Sequence, residues 1–239
     1  AVIDKGRKEK QELTSRRAKV LRPLRSSFER YGEVFVSLGV SFVPNFVSLY
    51  DEGVGDEGLY SELTPPKSSG ERWIGVAPFA KHKGKIYPLD RMEKVVSKLS
   101  EESRVKIFLF GSGDREREIL SLWRERYPGV ISLADKRYGF AVELSLMSRL
   151  DVMISMDSAN MHLASLVEVP VVSVWGATHP YCGFLGWRQS DSGVVELPLD
   201  CRPCSVFGNK PCYRKDYACL EIAPETIVDR VKSLETLIK

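Results

Sequence analysis

Leu150 to Thr178 reads LDVMISMDSANMHLASLVEVPVVSVWGAT, and this stretch decides the fold. Val152 to Met156 is an apolar run too short for a globular helix, and its branched residues suit a buried strand. Asp157 ends it. Ser158, Ala159, Asn160, Met161 and His162 then open a helix that Pro170 must stop. Val171 to Val174 is a second buried strand, broken at Gly176. Strand, helix and strand in so short a space predict parallel strands joined by a right-handed crossover.

The turn at the end of the first strand carries the chemistry. Asp157 stands in the N-cap position, where its carboxylate can accept a backbone N–H of the first helical turn. Ser158 and Ala159 are small enough to let a ligand approach the remaining N–H groups. A helix N-terminus at the carboxyl edge of a parallel sheet suits an anion, phosphate above all. His162 lies one turn above Ser158 on the same face, within reach of what the turn holds. The plainer reading gives an ordinary Asp cap and a packed histidine; the spacing after a buried strand favours the functional one.

Outward from this unit the βα alternation is regular. Strands are predicted at Trp73–Ala77, Val105–Phe110, Val130–Leu133 and Gly193–Leu197. Helices are predicted at Leu89–Leu99 (capped near Asp90), Arg115–Arg126 and Ala141–Arg149. Pro224 starts a terminal helix with Ile227, Val228, Val231 and Leu234 on one face. This is an α/β chain with a doubly wound parallel sheet over residues 72–222 and a C-terminal helix over 223–239. Residues 51–71, rich in acid, Gly, Pro and Ser, read as a linker. Before it, residues 4–22 show no clear period. Leu24, Phe28, Tyr31, Phe35 and Leu38 fall at helical spacing, Gly39 is a natural stop, and Val40–Tyr50 reads as extended chain or an edge strand. The chain opens on Ala1-Val2-Ile3, which reads as the end of a strand, and is read as a fragment or processed product.

Two further strand ends carry signals. After Trp73–Ala77 come Lys81, Lys83 and Lys85, placed to neutralise a diphosphate or simply to solvate a loop. After Val105–Phe110 comes Gly111-Ser112-Gly113, which permits close approach of a nucleotide, but the third glycine of the dinucleotide fingerprint is absent. That argues against a nicotinamide enzyme.

The net charge of +3 selects no partner, and 43% hydrophobic residues is ordinary for a globular protein. No apolar run is long enough to span a membrane, and no signal peptide appears. Residues 5–30 hold ten Lys/Arg against three Asp/Glu, an arm that suits anionic lipid or phosphorylated glycan, or forms a solvated helix face. Aromatic residues are not interleaved with these charges, so nucleic acid is not expected. Five cysteines without a secretory signal fit a reducing compartment. Four of them form Cys201-x2-Cys204-x7-Cys212-x6-Cys219, a spacing that allows a structural zinc site or a loop shaped by free or disulfide-linked thiols. The latter is expected, with no metal.

The segment MDSANMHLASLVEVPVVSVWGAT resembles the signature of glycosyltransferase family 9, the heptosyltransferases of lipopolysaccharide assembly: Asp–Ser/Thr–Gly–x–x–His–x–Ala, a Pro-led strand, then Gly–x–Thr. Ala159 stands where the family usually has Gly. Lys85-Ile86-Tyr87-Pro88 is similar to the family's donor-phosphate lysine motif, and Glu116 to its acidic residue for ribose hydroxyls. The resemblance covers residues 72–236 and implies the GT-B architecture, with a Rossmann-like C-terminal domain for the nucleotide sugar. Residues 1–50 then correspond to the tail of an N-terminal acceptor domain. It also covers the Cys-rich loop, which lies outside the family's catalytic machinery.

The resemblance implies inverting, cytoplasmic transfer of a heptose from an ADP-sugar to a lipopolysaccharide core or other glycolipid acceptor, with contact at the inner membrane and no cofactor. No Asp-x-Asp metal motif occurs in the chain, so Lys85 and the helix start at Ser158, Ala159 and Asn160 must meet the diphosphate. Asp157 faces sugar hydroxyls, because its charge repels phosphate. His162 donates toward phosphate or sugar, and Thr178 offers a hydroxyl at the same edge. The catalytic base is expected upstream of Ala1. Rival readings are a GT-B enzyme using a UDP-sugar, a nucleotide-sugar-binding module without catalysis, and a flavodoxin-like regulatory domain.

Overall fold

The computed structural model describes residues 1–41 and 43–238. Six parallel strands form its centre: β1 (Arg72–Ala77), β2 (Val105–Leu109), β3 (Val130–Ser132), β4 (Val152–Met156), β5 (Val171–Trp175) and β6 (Val194–Glu196). Their order across the sheet is β3-β2-β1-β4-β5-β6. The chain therefore reverses direction between β1 and β4, and a crevice opens at the carboxyl ends of these two neighbours. Register follows the predicted unit: Met153 pairs with Val171 and Met156 with Val174.

Both faces of the sheet are buried, which is why its strands read as continuous apolar runs. Ile74, Val76, Ile107, Leu109, Ile154 and Val174 point into one core. That core is closed by α3 (Leu89–Ser100), α4 (Asp114–Arg126) and α7 (Pro224–Ile238). On the other face Trp73, Phe108, Met153 and Trp175 meet α5 (Phe140–Met147) and α6 (Ala159–Leu166). Ile227, Val228, Val231 and Leu234 are all buried, as their spacing predicts. Lys239, the last residue assigned to that helix, lies outside the described residues.

The N-terminal fifth departs most from expectation. A helix over Arg7–Leu13, α1, forms where the sequence shows no period, anchored by one buried apolar residue, Leu13. Ala1-Val2-Ile3 is irregular, not a strand end. The next helix, α2 (Ser27–Ser37), starts after Leu24 because Ser26 and Glu29 form a reciprocal capping box. Phe28 packs edge-on against Trp187 at 5.1 Å, while Tyr31, Phe35 and Leu38 leave much of the stripe facing solvent. The described residues of Val40–Tyr50 pair with no strand, so the edge-strand expectation is corrected to irregular chain; Phe42 lies outside the described residues. Pro44 and the lack of an alternating pattern explain it.

Residues 55–60 are held against the sheet domain. Gly55 N–H donates to Ser148 Oγ, Ser145 Oγ donates to Asp56 O, and Tyr60 packs on Trp73 with centroids 6.1 Å apart. Part of the basic arm is tied into the fold, while Lys5, Arg7, Lys8, Arg16 and Arg17 are exposed. Arg30 is 3% exposed and binds Asp4 and Glu9, while Arg25 pairs with Asp4 and Glu33. Lys19 donates to the carbonyls of Cys201, Arg202 and Pro203.

Candidate functional site

A cleft of about 820 Å³ opens where the strand order reverses. Its walls come from the segments that leave β1, β2 and β4, from α5 and α6, and from Phe184 and Phe207 beyond β5. Lys81, Lys85, Glu116, Asp157, Ser158, Ala159, Asn160 and His162 all line it, so eight of the residues singled out from sequence meet there. Thr178 does not. It is fully buried and donates to Asp157 Oδ2 at 2.8 Å, behind the cleft surface.

Asp157 is not the cap of α6. That position is Ser158, and no side chain accepts from the first turn. Asp157 still follows the sheet, its N–H donating to Val174 O at 3.3 Å. Its carboxylate turns toward β5 and the Lys85 loop, where Nζ lies 2.9 Å from Oδ2. Asp157 is 4% exposed and the Lys85 side chain 15%, so the pair is shielded from water on most sides. The consequence reaches the ligand side. With Asp157 occupied elsewhere, the first-turn N–H groups of α6 face the cleft uncapped, the condition for anion binding.

Close backbone contact fixes this geometry. The loop after β1 ends in a short turn over Lys83–Lys85, and Ala177 N–H donates to Gly84 O at 2.8 Å. A Cβ on Gly176 would stand 2.4 Å from that same carbonyl, so only glycine lets the two loops meet. On the other side Gly208, with φ +70°, lies against the Lys85 stem, where a Cβ would come 2.7 Å from Cγ. The Cys-rich loop thereby aims the lysine. Lys83 is diverted: its ammonium sits over the Tyr217 ring, 5.2 Å from the centroid.

The ionisable groups divide by environment. Desolvation lowers the His162 pKa, with Lys85 adding to the effect and Asp157 opposing it. The imidazole is therefore neutral at pH 7, a donor at one nitrogen and an acceptor at the other. Below the site Cys182 is buried, and desolvation pushes its thiol up to about 11. Glu116 Oε2 accepts from Ser112 N–H at 2.8 Å, which closes the Gly111-Ser112-Gly113 turn. Glu143 also lines the cleft, its carboxyl raised by burial. Sequence reasoning missed Glu143 and the aromatic lining of Phe79, Phe110, Phe140, Phe184 and Phe207. Phe79 and Phe110 carried a signal, since both lie just past the end of a strand; the others are placed by loops and by the start of α5.

The four-cysteine loop holds free thiols, as does Cys182. Among the described residues no three His, Cys, Asp or Glu side chains are arranged to hold a metal ion. What shapes the loop is Arg202. Its guanidinium is buried and donates to the carbonyls of Trp175, Gly176, Thr178 and Leu197 and to Glu196. A second cleft of about 770 Å³ lies at the amino ends of the strands, but its polar groups are already engaged. Gln189 bonds Val171 N–H and Val169 O, and Asp151 bonds Lys67 and Trp73 N–H.

Sheet order, crevice and uncapped helix start together define a doubly wound, Rossmann-like domain with an anion-ready switch point. The chain belongs to glycosyltransferase family 9 (heptosyltransferase), whose sequence profile matches residues 56–212. Lipooligosaccharide heptosyltransferase 2 of Campylobacter jejuni is 25% identical over 172 residues, which is 70% of this chain and 53% of that protein. The family 9 glycosyl transferase of Veillonella parvula superposes with TM-score 0.68 at 18% identity, over 92% of this chain and 62% of its own. E. coli heptosyltransferase WaaC with ADP superposes with TM-score 0.60 at 16% identity, over 90% of this chain and 58% of its own. At such identities the structural likeness is one of fold. The chain spans about half the length of the curated relatives it matches, 53% and 52%.

Proposed function

We propose that this chain forms the donor-binding half of a heptosyltransferase, taking an ADP-heptose whose sugar passes to a lipopolysaccharide or lipooligosaccharide core acceptor. The observation that carries this reading is the convergence of Lys85 and the uncapped start of α6 in one crevice between β1 and β4. Family membership supports the sugar-transfer chemistry, and the similarly folded E. coli heptosyltransferase WaaC is known in a structure with ADP.

In the proposed reaction the acceptor hydroxyl attacks the anomeric carbon as its bond to the diphosphate breaks, through an oxocarbenium-like transition state with inversion. The acceptor proton goes to a base, and negative charge grows on the departing ADP. Lys85 and the N–H groups of Ser158, Ala159 and Asn160 stabilise that charge without a metal. Asp157 holds Lys85 in place and is itself fixed by Thr178. That changes its role from a sugar ligand to a positioning residue. Neutral His162 hydrogen-bonds to phosphate or sugar, and Glu116 to the ribose.

We assign the acceptor base to a region outside these 239 residues. Of the three carboxylates that line the cleft, Asp157 is occupied by Lys85 and Glu116 by Ser112, and Glu143 is assigned to the nucleotide base below. The acceptor is presented at the cytoplasmic face of the inner membrane. Among the described residues no helix is long and apolar enough to cross a membrane. Thermal-shift titration with ADP, UDP, GDP and FMN tests the reading. Stabilisation by ADP above the others is expected, and stabilisation by UDP or FMN alone would contradict it.

A further inference from the structure

Three carboxylates line the cleft, and two are occupied by the protein itself. Asp157 is held by Lys85 and Thr178, and Glu116 by the backbone of Ser112. Glu143, in the first turn of α5, has no hydrogen-bond or ionic partner among the described residues. Burial alone, with no charge or hydrogen bond contributing, raises its pKa. A half-buried carboxyl without a partner is costly, and a donor group from the ligand would offset that cost.

Position within the cleft limits which donor group that is. The phosphate anchors stand at β1 and β4, and an unpaired carboxylate beside a diphosphate would be repelled by it. Glu143 therefore belongs to one of the two flanks. The strand order puts Phe110 and the Gly111–Gly113 turn on the β2 side, with Phe184 and Phe207 beyond β5 on the other. Because α5 connects β3 to β4, it crosses the sheet on the β2 side. Phe140, one turn before Glu143 on the same helix, is 67% exposed and also lines the cleft. An exposed aromatic face beside an unengaged carboxyl suits a heteroaromatic base with an amino group.

Resting on the donor-site reading above, we propose that Glu143 accepts a hydrogen bond from the 6-amino group of adenine while Phe140 covers the ring, making this pair the base-specificity element of the site. A purine with a carbonyl in that position would set oxygen against oxygen. The selection is thus for ADP-sugars over inosine and guanosine counterparts.

Calorimetric titration of ADP and of inosine diphosphate into the wild type, Glu143→Ala and Glu143→Gln separates the outcomes. The two ligands share ribose and phosphates and differ at position 6, where an amino group becomes a carbonyl, and at the adjacent N1, which gains a proton. The wild type is expected to bind ADP about tenfold more tightly than inosine diphosphate, the range for one neutral-to-charged hydrogen bond. Glu143→Ala should erase the difference by weakening ADP alone, while Glu143→Gln, whose amide oxygen still accepts, should keep most of it. Equal binding of both ligands by the wild type overturns the proposal. So does an equal loss of both in Glu143→Ala, which would put the carboxyl on the ribose, or an undiminished preference there. If the wild type binds neither nucleotide, the donor-site reading itself falls, and this inference with it.

Discussion

At the residue scale the Lys85–Asp157 pair has two separable duties. Removing the ammonium takes away a charge-assisted contact to phosphate, and Lys85→Ala should weaken ADP binding by about 1.5–3 kcal/mol. It also strands a nearly buried carboxylate, so the variant should lose stability as well. Adding Asp157→Asn should restore much of the melting temperature without restoring ADP affinity. Recovery of affinity in the double variant would show that Lys85 acts on the protein and not on the ligand. His162 gives a pH prediction. Its lowered pKa leaves it neutral at pH 7, and a bound diphosphate favours the charged form. ADP binding should therefore take up protons, and affinity should rise as pH falls from about 7.5 toward about 6. Titration of the ring by NMR should give a midpoint below 6.5 in the free protein, moving up with ADP. A free midpoint at or above 6.5 would contradict it.

The elements of the sheet domain are legible in the sequence because their residues alternate between two buried faces and are punctuated by Gly and Pro. The strand Val152–Met156 forms over the residues that its apolar run marks, and α6 starts one residue later than the turn predicts, capped at Ser158 with Ala159 as its first residue. The expected Asp157 cap fails for a physical reason. A carboxylate at a strand end chooses between the helix N–H groups and a cation, and only tertiary structure brings Lys85 and Thr178 to it. Glu143 is equally out of sight, since partnerless burial leaves no mark on local sequence. The N-terminal arm is read only in part, because some of the charges counted there as one solvated face are engaged when folded, Arg30 above all. The Cys-rich loop is likewise organised by Arg202 rather than by its thiols. Arg202→Ala leaves Glu196 and four carbonyls without this partner and should cost about 3–5 kcal/mol in urea unfolding. Cys201→Ser should change ADP affinity far less than Lys85→Ala does, and elemental analysis should find no stoichiometric zinc. One equivalent of zinc would mean that metal, not Arg202, organises the loop.

At the scale of the whole molecule, one crevice gathers the loops after β1, β2 and β4, while polar groups lining the amino-edge cleft are engaged in internal hydrogen bonds. That asymmetry follows from parallel strands, whose connecting helices all begin at the same edge. If the base that deprotonates the acceptor is supplied from outside these residues, as proposed, the chain binds the donor and transfers no sugar by itself. A donor-turnover assay with a lipopolysaccharide-core acceptor should find this chain inactive, and turnover at the rate of a longer family member would place the base within it. The central claim concerns where the nucleotide sits, and a crystal structure of the chain with ADP tests it most directly. The diphosphate should lie within hydrogen-bond distance of Lys85 Nζ and of the backbone N–H groups at Ser158–Asn160, with the base toward Phe140. ADP bound at the amino-edge cleft beside Trp187 and Gln189, or a diphosphate out of reach of Lys85, would contradict it.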